Sequence, residues 1–304
     1  MRYLSIILFL LFFSKALMAQ FNPVYSTYML NGFLLNPAYA GSHEALTLSS
    51  TYRNQWVGFP GAPENITFSS HAPMKKSNVA LGLLISNEEI GFNSNTGIFG
   101  NYAYRVKLNR GKLAFGIKGG IDLLTYSEKD VDLIDGDDTE FGYSSTSPLP
   151  NFGAGIYYYS NKFYTGFSIP GFLSRKEAST DNGYQITHNF SYYSYLLTGG
   201  AVLNISKDMK IKPSVLVQYN QSSSVLADIN LGFIFRNFML IGASYRTNNT
   251  FTGIFEIRIR PQFRLGYAYD YSLGDLNMFG NGSHEIVLSY DLAYIIKAAN
   301  PRYF

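Results

Sequence analysis

Large apolar side chains recur at every second position through most of this chain, and a period of two leaves room for strands with two unlike faces and little else. In 263–271 Phe263, Leu265, Tyr267, Tyr269 and Tyr271 share one face, opposite Arg264, Gly266, Ala268 and Asp270. In 251–259 Phe251, Gly253, Phe255, Ile257 and Ile259 oppose Thr252, Glu256 and Arg258, and in 286–294 Ile286, Leu288, Tyr290, Leu292 and Tyr294 oppose Ser289, Asp291 and Ala293. The same alternation runs through 79–85 and 113–123. The second face is small or charged. That suits the polar lumen of a closed barrel in lipid better than the packed core of a soluble sandwich.

Fourteen strands are predicted, at 44–53, 64–72, 78–87, 96–107, 112–126, 151–160, 162–170, 188–204, 210–220, 226–236, 238–246, 250–260, 262–272 and 284–295. The connections after even strands are short, around Lys75-Lys76, Asn109-Arg110, Asn161, Lys207-Asp208, Asn237 and Pro261. Those after odd strands are often longer, as at 54–63, 127–150, 171–187 and 273–283. Outer-membrane barrels have this asymmetry, with short periplasmic turns and longer outer loops. The expected fold is therefore an all-β transmembrane antiparallel barrel of about 14 strands, multi-pass in the cell outer membrane, with both termini on the periplasmic side. A secreted soluble β-protein is the rival, but it gives no reason for the alternation of loop lengths.

Composition agrees. Tyr (25) and Phe (24) make strands and interfacial belts, while only 15% of residues are charged. A net charge of +3 is too small to suggest nucleic acid, and the lack of Cys excludes disulfides, thiol catalysis and Cys metal sites. Residues 1–19 read as a cleavable signal peptide: Met1-Arg2, an apolar run from Leu4 to Phe13, and Ala19 before the cut. Residues 20–43 form an irregular segment, lumenal or periplasmic, and 44–304 the barrel. The terminal Phe304 fits a barrel-assembly signal; the plainer reading is a loose apolar tail.

Several blocks are more specific than the strand pattern. Asn36-Pro37-Ala38-Tyr39-Ala40-Gly41 is followed by Arg53-Asn54-Gln55-Trp56-Val57-Gly58-Phe59-Pro60-Gly61-Ala62-Pro63. Pro150-Asn151-Phe152-Gly153-Ala154-Gly155, Gly266-Tyr267-Ala268-Tyr269-Asp270 and Ser283-His284-Glu285-Ile286 come later. In this order and spacing they resemble the PorP/SprF family of the type IX secretion system, found in Bacteroidetes. The resemblance covers essentially the whole chain after residue 19, although 127–147 and 171–187 carry no matching pattern. It implies a non-enzymatic outer-membrane component that works with the secretion machinery. The implied partners are a periplasmic lipoprotein, or a large secreted adhesin of gliding or attachment whose export or surface retention it supports. No cofactor is implied. The alternative function is a passive porin or small-solute channel.

Candidate partner-binding or barrel-organising residues follow from these blocks. Arg53, Gln55, Trp56, Gly58, Phe59 and Pro63 belong at the outer end of the first hairpin, where an aromatic and Arg surface suits a partner anchor. The plainer reading places Trp56 in the aromatic belt and lets the prolines shape the turn. Asn36, Pro37, Tyr39 and Gly41 have turn chemistry that would plug or brace the barrel or meet a periplasmic partner; otherwise they only lead into the first strand. Asp270, His284 and Glu285 are expected to form a polar cluster that is structural, since no converging catalytic constellation accompanies it. Glu256, Arg258 and Arg264 would line a channel or pair with one another across strands. Seven acids in 128–140 fit a solvated outer loop better than a calcium loop, whose spacing they lack.

Overall fold

The structure, a computed structural model, describes residues 25–127, 144–177, 184–221, 225–273 and 280–292. The signal peptide, the 128–140 acids and Phe304 lie outside the described residues.

Fourteen antiparallel strands close on themselves. They are β1 (Leu46–Asn54), β2 (Glu64–Pro73), β3 (Val79–Ile90), β4 (Asn93–Leu108), β5 (Gly111–Ser127), β6 (Ser144–Tyr159), β7 (Phe163–Ile169), β8 (Tyr195–Ala201), β9 (Met209–Tyr219), β10 (Leu226–Phe235), β11 (Met239–Arg246), β12 (Thr250–Arg260), β13 (Phe263–Ser272) and β14 (Ser283–Leu292). A short extra strand, Leu203–Asn204, continues β8 past Val202. Each strand pairs with its sequence neighbours, and β1 closes the ring against β14 from Leu46↔Leu292 to Asn54↔His284. Closure leaves no edge for the bilayer to meet, as a membrane-spanning sheet requires.

Along β14 burial alternates strictly: Ser283, Glu285, Val287, Ser289 and Asp291 face in, while Ile286, Leu288, Tyr290 and Leu292 face out. The predicted strands hold, with three informative differences. The strands β5 and β6 extend until Ser127 pairs with Ser144, so Pro148 and Pro150 lie within β6. There β6 has a neighbour on one side only, because β7 pairs no further than Ala154, and a free edge tolerates residues without N–H. The strand predicted at 188–204 begins instead at Tyr195, because the Asn189 side chain accepts from Ser191 N (2.9 Å) and caps a single turn at Phe190–Tyr192. The ladder to β9 lapses over Ala201 and Val202, where the register sets Pro213, which has no N–H to donate, opposite Ala201.

Short turns at 74–78, 109–110, 160–162, 205–208, 236–238 and 261–262 gather at one end. The connection between β7 and β8, at the other end, adds a small hairpin, Ser174–Glu177 with Tyr184–Thr187.

Candidate functional site

Residues 25–45 lie inside the barrel. Nearly all are buried, and their partners come from β1, β2, β4, β5, β6, β7, β9, β10, β11, β13 and β14. The segment is compact because its own chemistry folds it. Asn36 accepts from Ala38 N (2.9 Å), Pro37 opens a 3-10 turn, and Gly41 takes a left-handed backbone (φ +72°) that reverses the chain toward β1.

The wall is thinned to receive it. Gly82 faces Phe33 and Gly266 faces Leu30, at 2.5 and 2.7 Å from where a Cβ would stand. A Cβ at Gly116 would overlap the backbone of Ala38, and one at Gly155 the amide of Asn36. The Asn36 amide donates to the carbonyls of Ile156 (3.0 Å) and Phe167 (3.3 Å), tying the plug to β6 and β7.

Two polar clusters hold the plug. Near the loop end Arg53 pairs with Asp270 (2.7 Å) and Glu285 (2.8 Å), while Arg246 pairs with Asp228 (3.0 Å). The plug enters this network through neutral groups. Ser26 N and Thr27 N donate to Glu285 (2.8 and 3.1 Å), the Thr27 hydroxyl adds a short bond to the same carboxylate, and Ser26 Oγ donates to Asp270 (2.7 Å). All five charged side chains are at least 95% buried, so each depends on its partners to offset lost hydration.

Near the turn end Tyr39 Oη lies 2.9 Å from His43 Nε2, and His43 Nδ1 lies 3.2 Å from Asp291. Asp291 also accepts from Thr47 (2.7 Å) and sits 3.5 Å from Arg264. His71 Nδ1 accepts from Gly41 N (3.2 Å), and Arg105 donates to Gly41 O (2.8 Å) and to Glu44 (3.0 Å). Burial pushes the hydroxyls of Tyr25, Tyr28 and Tyr39 well above the usual tyrosine range.

Of the sequence-derived residues, Asn36, Pro37, Tyr39 and Gly41 stand in the lumen, and Arg53, Asp270 and Glu285 meet in one network. His284 parts from them. It faces outward, 2.7 Å from Tyr267 Oη and against the Tyr269 ring, because alternation sends it to the face opposite Glu285. Arg264 pairs with Asp291 (3.5 Å).

Gln55, Trp56, Gly58, Phe59 and Pro63 form the outer loop between β1 and β2. It packs on 280–283: Val57 N donates to Gly282 O (2.9 Å), Asn281 N to Val57 O (2.7 Å), and Trp56 N to Ser283 Oγ (3.2 Å). Trp56 adopts a left-handed backbone (φ +43°), rare for a bulky residue. Between this loop and the barrel wall lies a cavity of about 270 Å³ lined by Arg53, Gln55, Trp56, Phe59, Pro63 and Asp270 among others.

The sequence reading missed Ser26, Thr27, Asp228, Arg246 and His43. Asp228 and Arg246 carried a signal, as charges on the inward faces of predicted strands. Tyr25 Oη donates to Asn65 (3.3 Å) at the loop end, so the chain threads the lumen from there down to β1. The first described residue, Tyr25, thus stands in the loop half of the lumen, and both termini lie outside the described residues.

A family model described as type IX secretion system membrane protein PorP/SprF matches residues 17–290. No curated protein matches the chain in sequence. Among solved structures, the monoaromatic hydrocarbon channel CymD is similar at 12% identity with a TM-score of 0.51, over 89% of this chain and 94% of that one. Omp33 of Acinetobacter baumannii is similar at 7% identity and a TM-score of 0.48, over 82% and 98% of the two chains. At its identity the CymD likeness concerns the barrel fold alone.

Proposed function

The chain belongs to the PorP/SprF family of type IX secretion system membrane proteins, and from that membership we propose that it is a non-enzymatic docking component of the outer membrane. It binds a periplasmic lipoprotein of the machinery, a large secreted adhesin, or both, and so supports export or surface retention of cargo. In a Bacteroidetes cell that cargo serves gliding or attachment. On this reading residues 1–19 are removed on export.

The observation that carries the reading is the occupied lumen. Residues 25–45 fill its centre and hold polar groups from most of the wall, where a passive channel needs an aqueous path. The outer loop adds a second support. Phe59 is 46% exposed beside Trp56 and Pro63 on a braced hairpin, which suits an anchor for a protein partner.

Affinity capture of the full chain from outer membranes tests this, together with the secreted proteins of a deletion strain. Co-purification of a periplasmic lipoprotein or an adhesin tail, with cargo lost from the surface of the deletion strain, is expected. A steady open conductance in planar bilayers with secretion intact would replace the docking role by a channel.

A further inference from the structure

The turn end of the barrel has a charge bias that the plug does not use. The six short turns at 74–78, 109–110, 160–162, 205–208, 236–238 and 261–262 hold Lys75, Lys76, Arg110, Lys162, Lys207 and Arg236 against Asp208 alone. At the other end, the described connecting residues carry no such excess, with only Arg175 and Lys176 against Glu177.

The bias is concentrated where the lumen opens. A cavity of about 350 Å³ lies at this mouth, lined by Lys75, Lys76, Arg105, Lys107 and Lys112, with Glu44 as its one carboxylate. Five cations against one carboxylate leave the lining at +4. Glu44 is shared by Arg105 (3.0 Å) and Lys112. Lys76 and Lys107 are exposed. The position of the cavity tells apart its anionic occupants. Arg105, Lys107 and Lys112 are on the inward face by alternation, in register with buried Ala103 and Ala114. The cavity therefore opens into the mouth beneath the plug, away from the outer wall where lipid headgroups stand. A concave site of one sign concentrates a soluble partner of the other.

We infer that this mouth is the docking site for an acidic, Asp/Glu-rich segment of a periplasmic partner protein. The inference rests on the docking role proposed above and assigns it a surface. Lys75, Lys76 and Lys107 capture the carboxylates, while Arg105 and Lys112, fixed by Glu44, form the floor. Glu44 follows His43 of the plug directly, so an acidic segment arriving here meets the last residues of the plug and competes with Glu44 for Arg105 and Lys112.

The test uses the full chain in nanodiscs of neutral lipid and a fluorescent deca-glutamate peptide as probe. Saturable binding at low salt that weakens as salt is added is expected. It should fall by about tenfold or more in the Lys75→Glu/Lys76→Glu/Lys107→Glu variant, and much less in Lys207→Glu/Arg236→Glu on the remote rim. Absence of peptide binding, or equal loss from both variants, overturns the inference. So does displacement of the peptide by equimolar inorganic phosphate, or by phosphatidylglycerol in the disc, which would make the site one for small anions or lipid. In cells, a deletion strain that still secretes its cargo removes the docking role itself. A deletion defect fully rescued by the triple reversal removes only the surface assigned here.

Discussion

The two halves of the lumen hold the same plug by opposite means. Toward the loops the wall carries all the charge: Arg53, Arg246, Asp228, Asp270 and Glu285 pair with one another, and the plug brings backbone N–H groups and hydroxyls. Toward the turns the plug itself brings His43 and Glu44, and the wall answers with Asp291, Arg264, Arg105 and Lys112. The charges of the outer half are paired within the wall, and those of the inner half are paired between plug and wall. Buried ion pairs add little over an apolar wall, yet they are costly to break singly. The outer half should therefore be the more sensitive to point changes in the wall, and the inner half to changes in the plug.

The largest effect is expected from Glu285→Ala, which takes one of the two carboxylates from Arg53, leaving Asp270 alone to balance it, and strands the N–H groups of Ser26 and Thr27. About 3–5 kcal/mol should be lost from the unfolding free energy of the detergent-folded barrel, read by denaturant titration. A loss under about 1 kcal/mol would erase the distinction between the halves. Gly116→Val comes next. The added side chain meets the backbone of Ala38, at a cost of about 1–3 kcal/mol, and limited proteolysis within 25–45 should become faster. His43→Ala removes the link between Tyr39 and Asp291 and should cost about 1–3 kcal/mol, with Asp291 still held by Thr47 and Arg264. If it matched Glu285→Ala, the contrast between the halves would fail. Asn36→Ala, losing a cap and two bonds to the wall, should cost about 1–2 kcal/mol by the same titration.

The smallest effect is one of pH. The buried hydroxyls of Tyr25, Tyr28 and Tyr39 ionise above the ordinary 10.0, so their contribution is whole below pH 10 and declines as pH rises past it, when the exposed form ionises first. Tyrosinate absorbance should appear in the folded barrel only for surface tyrosines until the plug is released. Early ionisation of all tyrosines would contradict the burial.

The barrel was legible because lipid on one side and a polar interior on the other impose different chemistry on neighbouring residues, and fourteen strands repeat the message. Arg53, Asp270 and Glu285 stood out as charges within family-like blocks. His284 was grouped with them by adjacency, although alternation placed it with Ile286 on the lipid side. Ser26 and Thr27 left no trace: a small polar residue in an aperiodic stretch reads the same whether water or a buried carboxylate faces it. The strand ends were blurred by Pro148 and Pro150, because a free strand edge is a tertiary fact.

Ser26 precedes its partner Glu285 by 259 positions, and His43 precedes Asp291 by 248. The earliest part of the plug thus waits for the last strand before either of its anchors is complete. Whatever completes the ring also seats the stopper, so a chain cut short before β14 loses wall and closure in one stroke, and assembly quality can be read at the centre of the lumen.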